Sequence, residues 1–236
     1  MSSKPIDYSD LTIIIPTLNE EKTIGKLISQ IEENAPESSI IISDDGSIDK
    51  TKEIVNNFDG NVNILFLDRK EAEVHGLTIS VLDAILKCST PLFLVMDGDL
   101  QHPPSSIPQF HALLHQNYDL VTGKRIKVIG KWPIQRKLMS YVARILGYLA
   151  LAVRGKNIIK DLMTGLFASK TEIWIPIIKK KKKKFTAKGY KVLFDFLKIC
   201  KIKLKKSHVE YVFGTRDFGE SKISKRVIWL YFKSLF

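Results

Sequence analysis

Short apolar runs alternate along the first half of the chain with longer stretches in which apolar residues recur every three or four positions. The short runs are rich in isoleucine, leucine, valine and phenylalanine, as are strands buried on both faces. The longer stretches have the periodicity of amphipathic helices. This alternation predicts an α/β fold with a largely parallel sheet and helices on both of its faces. The predicted strands are LTIII at 11–15, SIIIS at 39–43, VNILFL at 62–67, LFLVM at 92–96 and YDLVTG at 118–123.

The first predicted helix follows Asn19, a residue type that caps helix N-termini. It covers EEKTIGKLISQIEEN, and its apolar residues fall on one face. They are Ile24, Leu27, Ile28 and Ile31. The same pattern predicts a helix in TISVLDAILKC at 78–88.

Polar motifs stand at the ends of three predicted strands. In open α/β sheets, ligands bind outside the carboxyl ends of the strands, so these motifs are the candidate binding site. They are PTLNE at 16–20, DDGSIDKT at 44–51 and DGDLQ at 97–101. No G-x-G-x-x-G motif follows the first strand and no P-loop motif occurs, which argues against dinucleotide dehydrogenases and P-loop enzymes.

Asp97 and Asp99 point to the same side of an extended segment, because side chains alternate along it. Gly98 between them allows a ligand to approach the backbone closely. Such a carboxylate pair suits Mg²⁺ or Mn²⁺ bridged to substrate phosphates. The alternative is a polar turn that ends the strand, and DDGSIDKT has the same alternative as a turn followed by a helix cap.

The chain has a formal net charge of +12 at pH 7, from 37 lysines and arginines against 25 aspartates and glutamates. This charge predicts an anionic partner: nucleic acid, a phosphorylated substrate or an acidic membrane surface. Nucleic acid is disfavoured because the basic residues are not interleaved with aromatic ones and acidic motifs occupy the strand ends.

Cys88 and Cys200 lack metal-ligand spacing, which argues against a zinc site and a disulfide framework and indicates a reducing, cytosolic setting. The histidines form no H-E-x-x-H motif and are expected to be structural or solvent-facing, although His102 could support the ligands of the metal motif. They are His75, His102, His111, His115 and His208.

The motifs together resemble those of the dolichyl-phosphate mannose synthases, within the family 2 glycosyltransferases of the GT-A fold. The resemblance runs in order from about Ile13 to Lys222, and QHPP and GESK narrow it to polyprenyl-phosphate sugar transferases. The segments that carry it are PTLNEE, DDGSIDKT, MDGDLQHPP, DLMTGLFA at 161–168, KGYK at 188–191 and GTRDFGESK at 214–222. The resemblance implies one GT-A catalytic domain over residues 1–222, a Rossmann-like sheet with flanking helices.

The resemblance also implies roles for individual residues. Those expected to bind the nucleotide sugar are Pro16, Leu18, Glu20, Asp44 and Asp45, the last two near the base and ribose, with Asp97, Gly98, Asp99 and Lys222. The metal, Mg²⁺ or Mn²⁺, is expected on Asp97, Asp99 and Gln101. The lipid phosphate is expected on Arg125, Arg136, Ser140 and Arg216, and the catalytic residues are expected to be Asp97, Asp99, Arg125 and Arg216.

The chain departs from the family pattern at two places. Gly98 replaces the usual alanine, which is expected to be harmless. In EVHGLTIS at 73–80, His75 and Thr78 replace a lysine and a glycine, so no donor contact is predicted from this loop.

Residues 138–153 are too few to span a bilayer, which requires about 20 apolar residues, and carry Arg144 in the middle. An apolar stripe at helical spacing predicts an interfacial helix over about 136–154, the alternative being a helix buried against the sheet. The stripe is Leu138, Val142, Ile145, Leu149 and Val153.

Two further segments favour a membrane surface. The lysines at 179–184 suit anionic headgroups, although a solvated loop is the alternative. The C-terminal helix at 223–236 is amphipathic and aromatic, as in an interfacial anchor or the start of a transmembrane region. We expect the chain on the cytoplasmic face of a membrane, peripheral or held by an anchoring domain or subunit. With no signal peptide or apolar span, the chain itself is not expected to cross.

The expected function is therefore metal-dependent, inverting transfer of mannose from GDP-mannose to dolichyl or another polyprenyl phosphate. The resemblance supplies the sugar, and the basic amphipathic half of the chain independently suggests a lipid phosphate acceptor. A UDP-glucose or other nucleotide-sugar donor with the same acceptor is the alternative.

Overall fold

Seven strands form one sheet in the computed structural model. It describes residues 6–129, 134–153, 155, 158–162, 164–187 and 191–214, with the backbone alone for 134–143. The strands are β1 (Leu11–Thr17), β2 (Ser39–Asp44), β3 (Asn63–Asp68), β4 (Leu92–Val95), β5 (Leu120–Val128), β6 (Phe167–Lys170) and β7 (Lys206–Phe213). Their spatial order is β3-β2-β1-β4-β6-β5-β7, and only β6 is antiparallel to its neighbours. The predicted largely parallel sheet is confirmed.

Helices cover both faces of this sheet. They are α1 (Ile24–Asn34), α2 (Thr51–Asn56), α3 (Leu77–Ile85), α4 (Ile107–His115), α5 (Ile134–Val153), α6 (Thr171–Lys181) and α7 (Val192–Ile199), with 3₁₀ turns at Pro104–Ser106 and Lys182–Lys184. Alternation along β1 assigns Ile14 to the core beneath α3, α6 and α7, and Ile13 and Ile15 to the core beneath α1 and α4. The apolar cores on both faces of the sheet explain why the strands read as continuous hydrophobic runs.

The register brings the polar strand ends to one edge. Thr17 is opposite Asp44 in the β1–β2 pair, and Asp44 is opposite Asp68 in the β2–β3 pair. The loops that follow these strands therefore start side by side, and the loop after β4 begins at the same edge. We call it the carboxyl edge.

The start of α1 differs from the prediction. The four apolar residues expected on its inner face are all buried, but the helix begins at Ile24 and Asn19 does not cap it. Asn19 has φ +55°, and its side-chain oxygen accepts the Ile48 amide at 2.9 Å. Hydrogen bonds between Asn19 and the neighbouring loop after β2 determine the position of this residue and override its local preference for capping a helix.

Helix α5 has one face on the core and one face in solvent. Leu151 is fully buried, whereas Ile145, Leu149 and Val153 are 39%, 56% and 87% exposed. The exposed three belong to the predicted stripe, and the side chains of its other two members lie outside the described residues. No helix in the described ranges is long and apolar enough to cross a membrane.

Candidate active site

The loop after β2 is built around Asp44. This carboxylate is 3% exposed and accepts hydrogen bonds from the Thr17 hydroxyl at 2.8 Å and from the amides of Gly46 and Ser47 at 3.1 and 2.7 Å. The Ser47 hydroxyl adds a fourth bond at 2.5 Å. Asp44 therefore holds the loop after β2 in shape and ties it to the end of β1, and the predicted contact with a base or ribose stays a prediction.

A second set of bonds ties the loop after β1 to the same loop. The Glu20 amide donates to the Thr51 hydroxyl at 2.8 Å, and the Glu21 amide donates to Asp49 at 3.0 Å. The predicted pocket residues Pro16, Leu18 and Glu20 all lie in this tied segment at the carboxyl edge, and Leu18 is 37% exposed. The two loops thus form one rigid wall.

Asp45 is held by a buried arginine that the sequence analysis did not single out. Arg69 lies one residue after β3, its side chain is 4% exposed, and its guanidinium contacts Asp45 as well as Asp83 at 3.1 Å. It also donates to the Ser80 hydroxyl and to the Val74 carbonyl at 2.7 and 2.8 Å. Its place directly after a predicted strand was the available signal.

The loop at 73–80, which departs from the family pattern, closes on Asp45. The Gly76 amide donates to Asp45 at 2.7 Å, and the His75 ring nitrogen lies 3.1 Å from the same carboxylate. Lys182 in turn binds Asp83 at 2.7 Å, so the lysine run reaches the rim of this network. His75 therefore belongs to the wall of the site although no contact was predicted from its loop.

The metal motif follows β4 at the carboxyl edge. The Asp97 side chain is 35% exposed, whereas Asp99 is 3% exposed and accepts the Gln101 amide at 3.1 Å. A Cβ at Gly98 would lie 3.4 Å from the Glu20 side chain, an ordinary contact. An alanine would fit there, as expected from the sequence.

His102 supports the metal motif from below. Its Nδ1 accepts the Asp97 amide hydrogen at 3.1 Å, which leaves the proton of the neutral ring on Nε2. Burial lowers the pKa of His102, although the carboxylates of Asp97 and Asp99 oppose the shift. A neutral, fully buried ring therefore fixes the backbone that carries Asp97.

The turn before β6 passes directly over Asp97. A Cβ at Gly165 would lie 3.1 and 3.2 Å from the two carboxylate oxygens of Asp97 and 3.3 Å from the His102 ring. Only glycine allows this approach without displacing the carboxylate. The DLMTGLFA motif is thereby brought against the metal motif.

A basic cluster lies beside these carboxylates. Arg125, near the end of β5, binds Asp161 through two hydrogen bonds of 2.8 and 3.1 Å, and its guanidinium carbon lies 5.6 Å from the centre of the Phe213 ring. Burial, followed by the positive charge of Arg125, lowers the pKa of Lys191 to about 7, against the pull of Asp161 and Asp97. Lys191 belongs to the quoted KGYK motif but was not predicted as a site residue.

Gln101 connects the metal motif to the end of β7. Its side-chain amide donates to the Gly214 carbonyl at 3.1 Å, and the Gly214 amide donates to the Gln101 carbonyl at 3.0 Å. The GTRDFGESK segment therefore starts beside the metal motif, while Arg216 and Lys222 lie outside the described residues. The side chains of Arg136 and Ser140 lie outside them as well.

Comparison with known proteins identifies relatives of this chain. Residues 12–175 match the model of the family described as glycosyl transferase family 2. A dolichol-phosphate mannosyltransferase of Pyrococcus furiosus is 32% identical over 96% of this chain, and the aligned part is 62% of that protein. The Saccharomyces cerevisiae dolichol-phosphate mannosyltransferase is 26% identical over 98% of the chain and 86% of its own length. These relatives confirm the resemblance that the motifs indicate.

A solved structure supports the fold independently. Glucosyl-3-phosphoglycerate synthase from Mycobacterium tuberculosis, in complex with Mn²⁺, UDP-glucose and phosphoglyceric acid, superposes with a TM-score of 0.64. It is 18% identical, over 95% of this chain and 79% of the solved one. The likeness confirms the predicted glycosyltransferase fold.

Proposed function

The chain belongs to glycosyl transferase family 2, and we propose that it transfers mannose from GDP-mannose to the phosphate of dolichol or another polyprenol, releasing GDP. The observation that carries the proposal is the meeting of two oppositely charged groups at the carboxyl edge. Gly165 passes over the Asp97 carboxylate. Nearby, Arg125 pairs with Asp161, and the charges of Asp161 and Asp97 both act on the pKa of Lys191. A site that joins a metal-bound diphosphate to a second phosphate needs both groups.

The donor side of the site is the rigid wall formed by the loops after β1, β2 and β3. Its internal hydrogen bonds are satisfied before any ligand binds, so little ordering is required when a nucleotide arrives. Pro16, Leu18, Glu20 and Asp45 are the residues we assign to the nucleotide. The names of the two dolichol-phosphate mannosyltransferase relatives support mannose as the transferred sugar, and the motif resemblance implies GDP as its carrier.

Asp97, Asp99 and Gln101 would hold the divalent ion. Their oxygen atoms are the ligands that Mg²⁺ and Mn²⁺ prefer. The Gln101 amide nitrogen donates to the Gly214 carbonyl, so the amide oxygen is directed away from Gly214. The ion would neutralise charge on the departing diphosphate. His102 and Gly165 keep the Asp97 carboxylate in position, since one fixes its backbone and the other leaves it room.

The acceptor side would use Arg125 and Lys191, joined by Arg136, Ser140 and Arg216. Asp161 orients the Arg125 guanidinium through both of its oxygens, and a planar guanidinium suits the oxygens of a phosphate. A phosphate monoester has a second pKa near ~6, so the attacking oxygen is already anionic at neutral pH. Because the attacking oxygen needs no general base, Asp161 serves to position Arg125. Attack in a single displacement then inverts the configuration at the anomeric carbon.

Helix α5 would bring the site to a membrane surface, and we place the protein on the cytoplasmic face of that membrane. Its exposed stripe borders an apolar depression of about 340 Å³, lined by Tyr148, Leu149, Ala152, Ile158, Ile159 and Lys160. Tyr148 donates to the Lys160 carbonyl at 2.6 Å, one residue before Asp161. A polyprenyl chain along this surface would place its phosphate beside Arg125 without leaving an apolar environment.

The test is incubation with labelled GDP-mannose, dolichyl phosphate and Mn²⁺, followed by extraction of labelled lipid. We expect label in the lipid with GDP-mannose, and its loss in Asp99→Asn with an unchanged circular dichroism spectrum. Asp59→Asn, an exposed carboxylate between α2 and β3, is the matched control. Lipid labelled from UDP-glucose but not from GDP-mannose would replace the proposed donor, and no labelled lipid from either would refute the proposal.

A further inference from the structure

Three potential metal ligands converge at the edge of the sheet opposite the active site. The Nε2 atoms of His111 and His115 lie 2.8 and 2.9 Å from the two carboxylate oxygens of Asp10, and 3.1 Å from each other. Asp10 directly precedes β1, and the two histidines are one turn apart at the end of α4. At ~3.3 Å per residue, the length of β1 separates this cluster from the carboxyl edge by about 20 Å.

With Asp10 as a carboxylate, hydrogen bonds do not account for all three short contacts. If both Nε2 atoms carry a hydrogen, each donates to one oxygen of Asp10, and the two nitrogens lie 3.1 Å apart with no hydrogen bond between them. If one Nε2 is deprotonated, it can accept from the other ring, but its lone pair then opposes a carboxylate oxygen. Each of these two arrangements leaves one short contact without a hydrogen bond.

A cation removes this conflict, because each of the three groups then offers a lone pair to the same ion. With Zn²⁺ bonds of about 2.0–2.1 Å, ligand atoms around a tetrahedral ion are about 3.3 Å apart. The two histidines lie 2.8 and 2.9 Å from different oxygens of Asp10 and 3.1 Å from each other, and one ligand atom from each of the three residues lies within 4.8 Å of the other two. A small rotation of the carboxylate would therefore direct one of its oxygens to the ion. Two imidazoles and one carboxylate form a donor set that favours Zn²⁺ over Mg²⁺.

We propose that Asp10, His111 and His115 bind a Zn²⁺ ion that is separate from the metal of the transfer reaction. The His111 side chain is 5% exposed, and its ring packs against Tyr8 with centroids 4.8 Å apart, so its direction is fixed. The side chains of Asp10 and His115 are 29% and 55% exposed, which gives an ion access and leaves room for water as a fourth ligand.

The ion would connect the start of β1 to the end of α4. Asp10 already anchors the sheet through its carbonyl, which accepts the Leu92 amide at 3.1 Å. A bond from its side chain through Zn²⁺ to α4 would link elements 101 residues apart in the chain. The role is therefore stabilisation of the fold. The sequence analysis expected these histidines to be structural or solvent-facing because they form no H-E-x-x-H motif. Their third partner, Asp10, is too distant in sequence to be recognised from a motif.

The test measures Zn²⁺ binding by equilibrium dialysis and Co²⁺ binding by visible absorbance, on the whole chain and two variants. His115→Gln removes an exposed ligand without opening the core. His208→Gln is the matched control, a partly exposed histidine 4.0 Å from Glu210 with no second histidine beside it. Loss of a supporting partner already costs about 10–100-fold in metal affinity, so loss of a ligand should cost at least about a hundredfold.

The expected result is one Zn²⁺ bound by the parent chain and His208→Gln, and weak binding by His115→Gln. Co²⁺ should give the intense visible bands of a tetrahedral site in the first two proteins, whereas an octahedral, oxygen-bound ion at the Asp97 motif absorbs weakly. Zn²⁺ should also raise the Tm of the parent chain but not that of His115→Gln. Equal Zn²⁺ affinity in the two variants, or no Zn²⁺ binding by the parent, would refute the site.

Discussion

Two arginines in this molecule each bind an aspartate, and the rest of their surroundings differ. Arg69 is 4% exposed and contacts Asp45, Asp83, Ser80 and the Val74 carbonyl. The Arg125 side chain is 18% exposed and binds Asp161 through both carboxylate oxygens, beside Lys191 and the Phe213 ring. Arg69 is surrounded by hydrogen-bond acceptors of the protein itself, whereas Arg125 lies beside a second cation, Lys191.

The contrast distinguishes Arg69, which holds the loops of the candidate site together, from Arg125, which we propose contacts a substrate phosphate. Two carboxylates compensate the charge of Arg69, so an anionic ligand gains little from it. Burial, followed by the positive charge of Arg125, lowers the pKa of Lys191 to about 7, and we expect a bound phosphate to raise that pKa again. We therefore expect substitution of Arg69 to affect mainly the stability of the fold, and substitution of Arg125 to affect mainly the proposed binding of substrate.

The largest effect is expected from Arg69→Met. Removing one partner of a buried ionic network costs about 3–5 kcal/mol, because Asp45 and Asp83 then lose a shared cation. For a chain of this size the Tm should fall by roughly 6–20 °C in a thermal melt followed by circular dichroism. Lys52→Met is the control, since its ion pair with Asp68 is exposed and worth at most about 1 kcal/mol. Equal melting temperatures would place Arg69 among surface ion pairs.

Next in size is Arg125→Lys. The charge remains, but the two parallel N–H donors that a guanidinium presents to phosphate oxygens are lost, and a charge-assisted hydrogen bond is worth about 1.5–3 kcal/mol. We therefore expect kcat/KM for transfer to fall by about 10–150-fold. Lys124→Met in the same strand, where the lysine binds Glu210 at 2.6 Å, should stay within about twofold of the parent because it contacts no proposed substrate. A similar loss in both variants would remove Arg125 from the site.

A smaller, pH-dependent effect is expected from Lys191. Its lowered pKa of about 7 means that the amine is largely neutral at about pH 8, and a bound phosphate should raise that pKa again. Binding of a soluble short-chain polyprenyl phosphate, which carries the phosphate that we assign to Lys191, should therefore take up close to one proton at that pH and weaken as pH rises through 7. Calorimetry in two buffers of different ionisation enthalpy measures the uptake. Lys191→Met should abolish it, and identical heats for the parent in both buffers would contradict the assignment.

The smallest effect is expected on the membrane side. Leu149→Asp places a charge on the exposed stripe of α5 and should reduce co-sedimentation with anionic liposomes severalfold, while GDP-mannose binding is retained. Ile202→Asp, at a 52% exposed apolar residue between α7 and β7, is the control and should leave liposome binding unchanged. Equal effects in the two variants would mean that α5 has no special place at the membrane.

Local patterns in the sequence determined much of this fold. The first four predicted strands match β1 to β4 to within two residues at each end, and the fifth overlaps β5, which runs five residues further. A buried strand requires consecutive apolar residues wherever it lies in the chain. The inner face of α1 follows from its 3.6-residue period in the same way. The position of the three polar motifs at one edge followed from parallel pairing alone.

The tertiary structure decided which charged residues meet. The second half of the chain adds β6 and β7, whose short or polar sequences carry no clear alternation, and the reversed β6 brings Gly165 over Asp97. Arg125 and Asp161 are 36 residues apart, and Asp10 and His111 are 101 residues apart. No periodicity spans such distances. Whether an arginine or a histidine finds an aspartate depends on how the strands cross, and that is determined by burial of both faces of the sheet rather than by either residue.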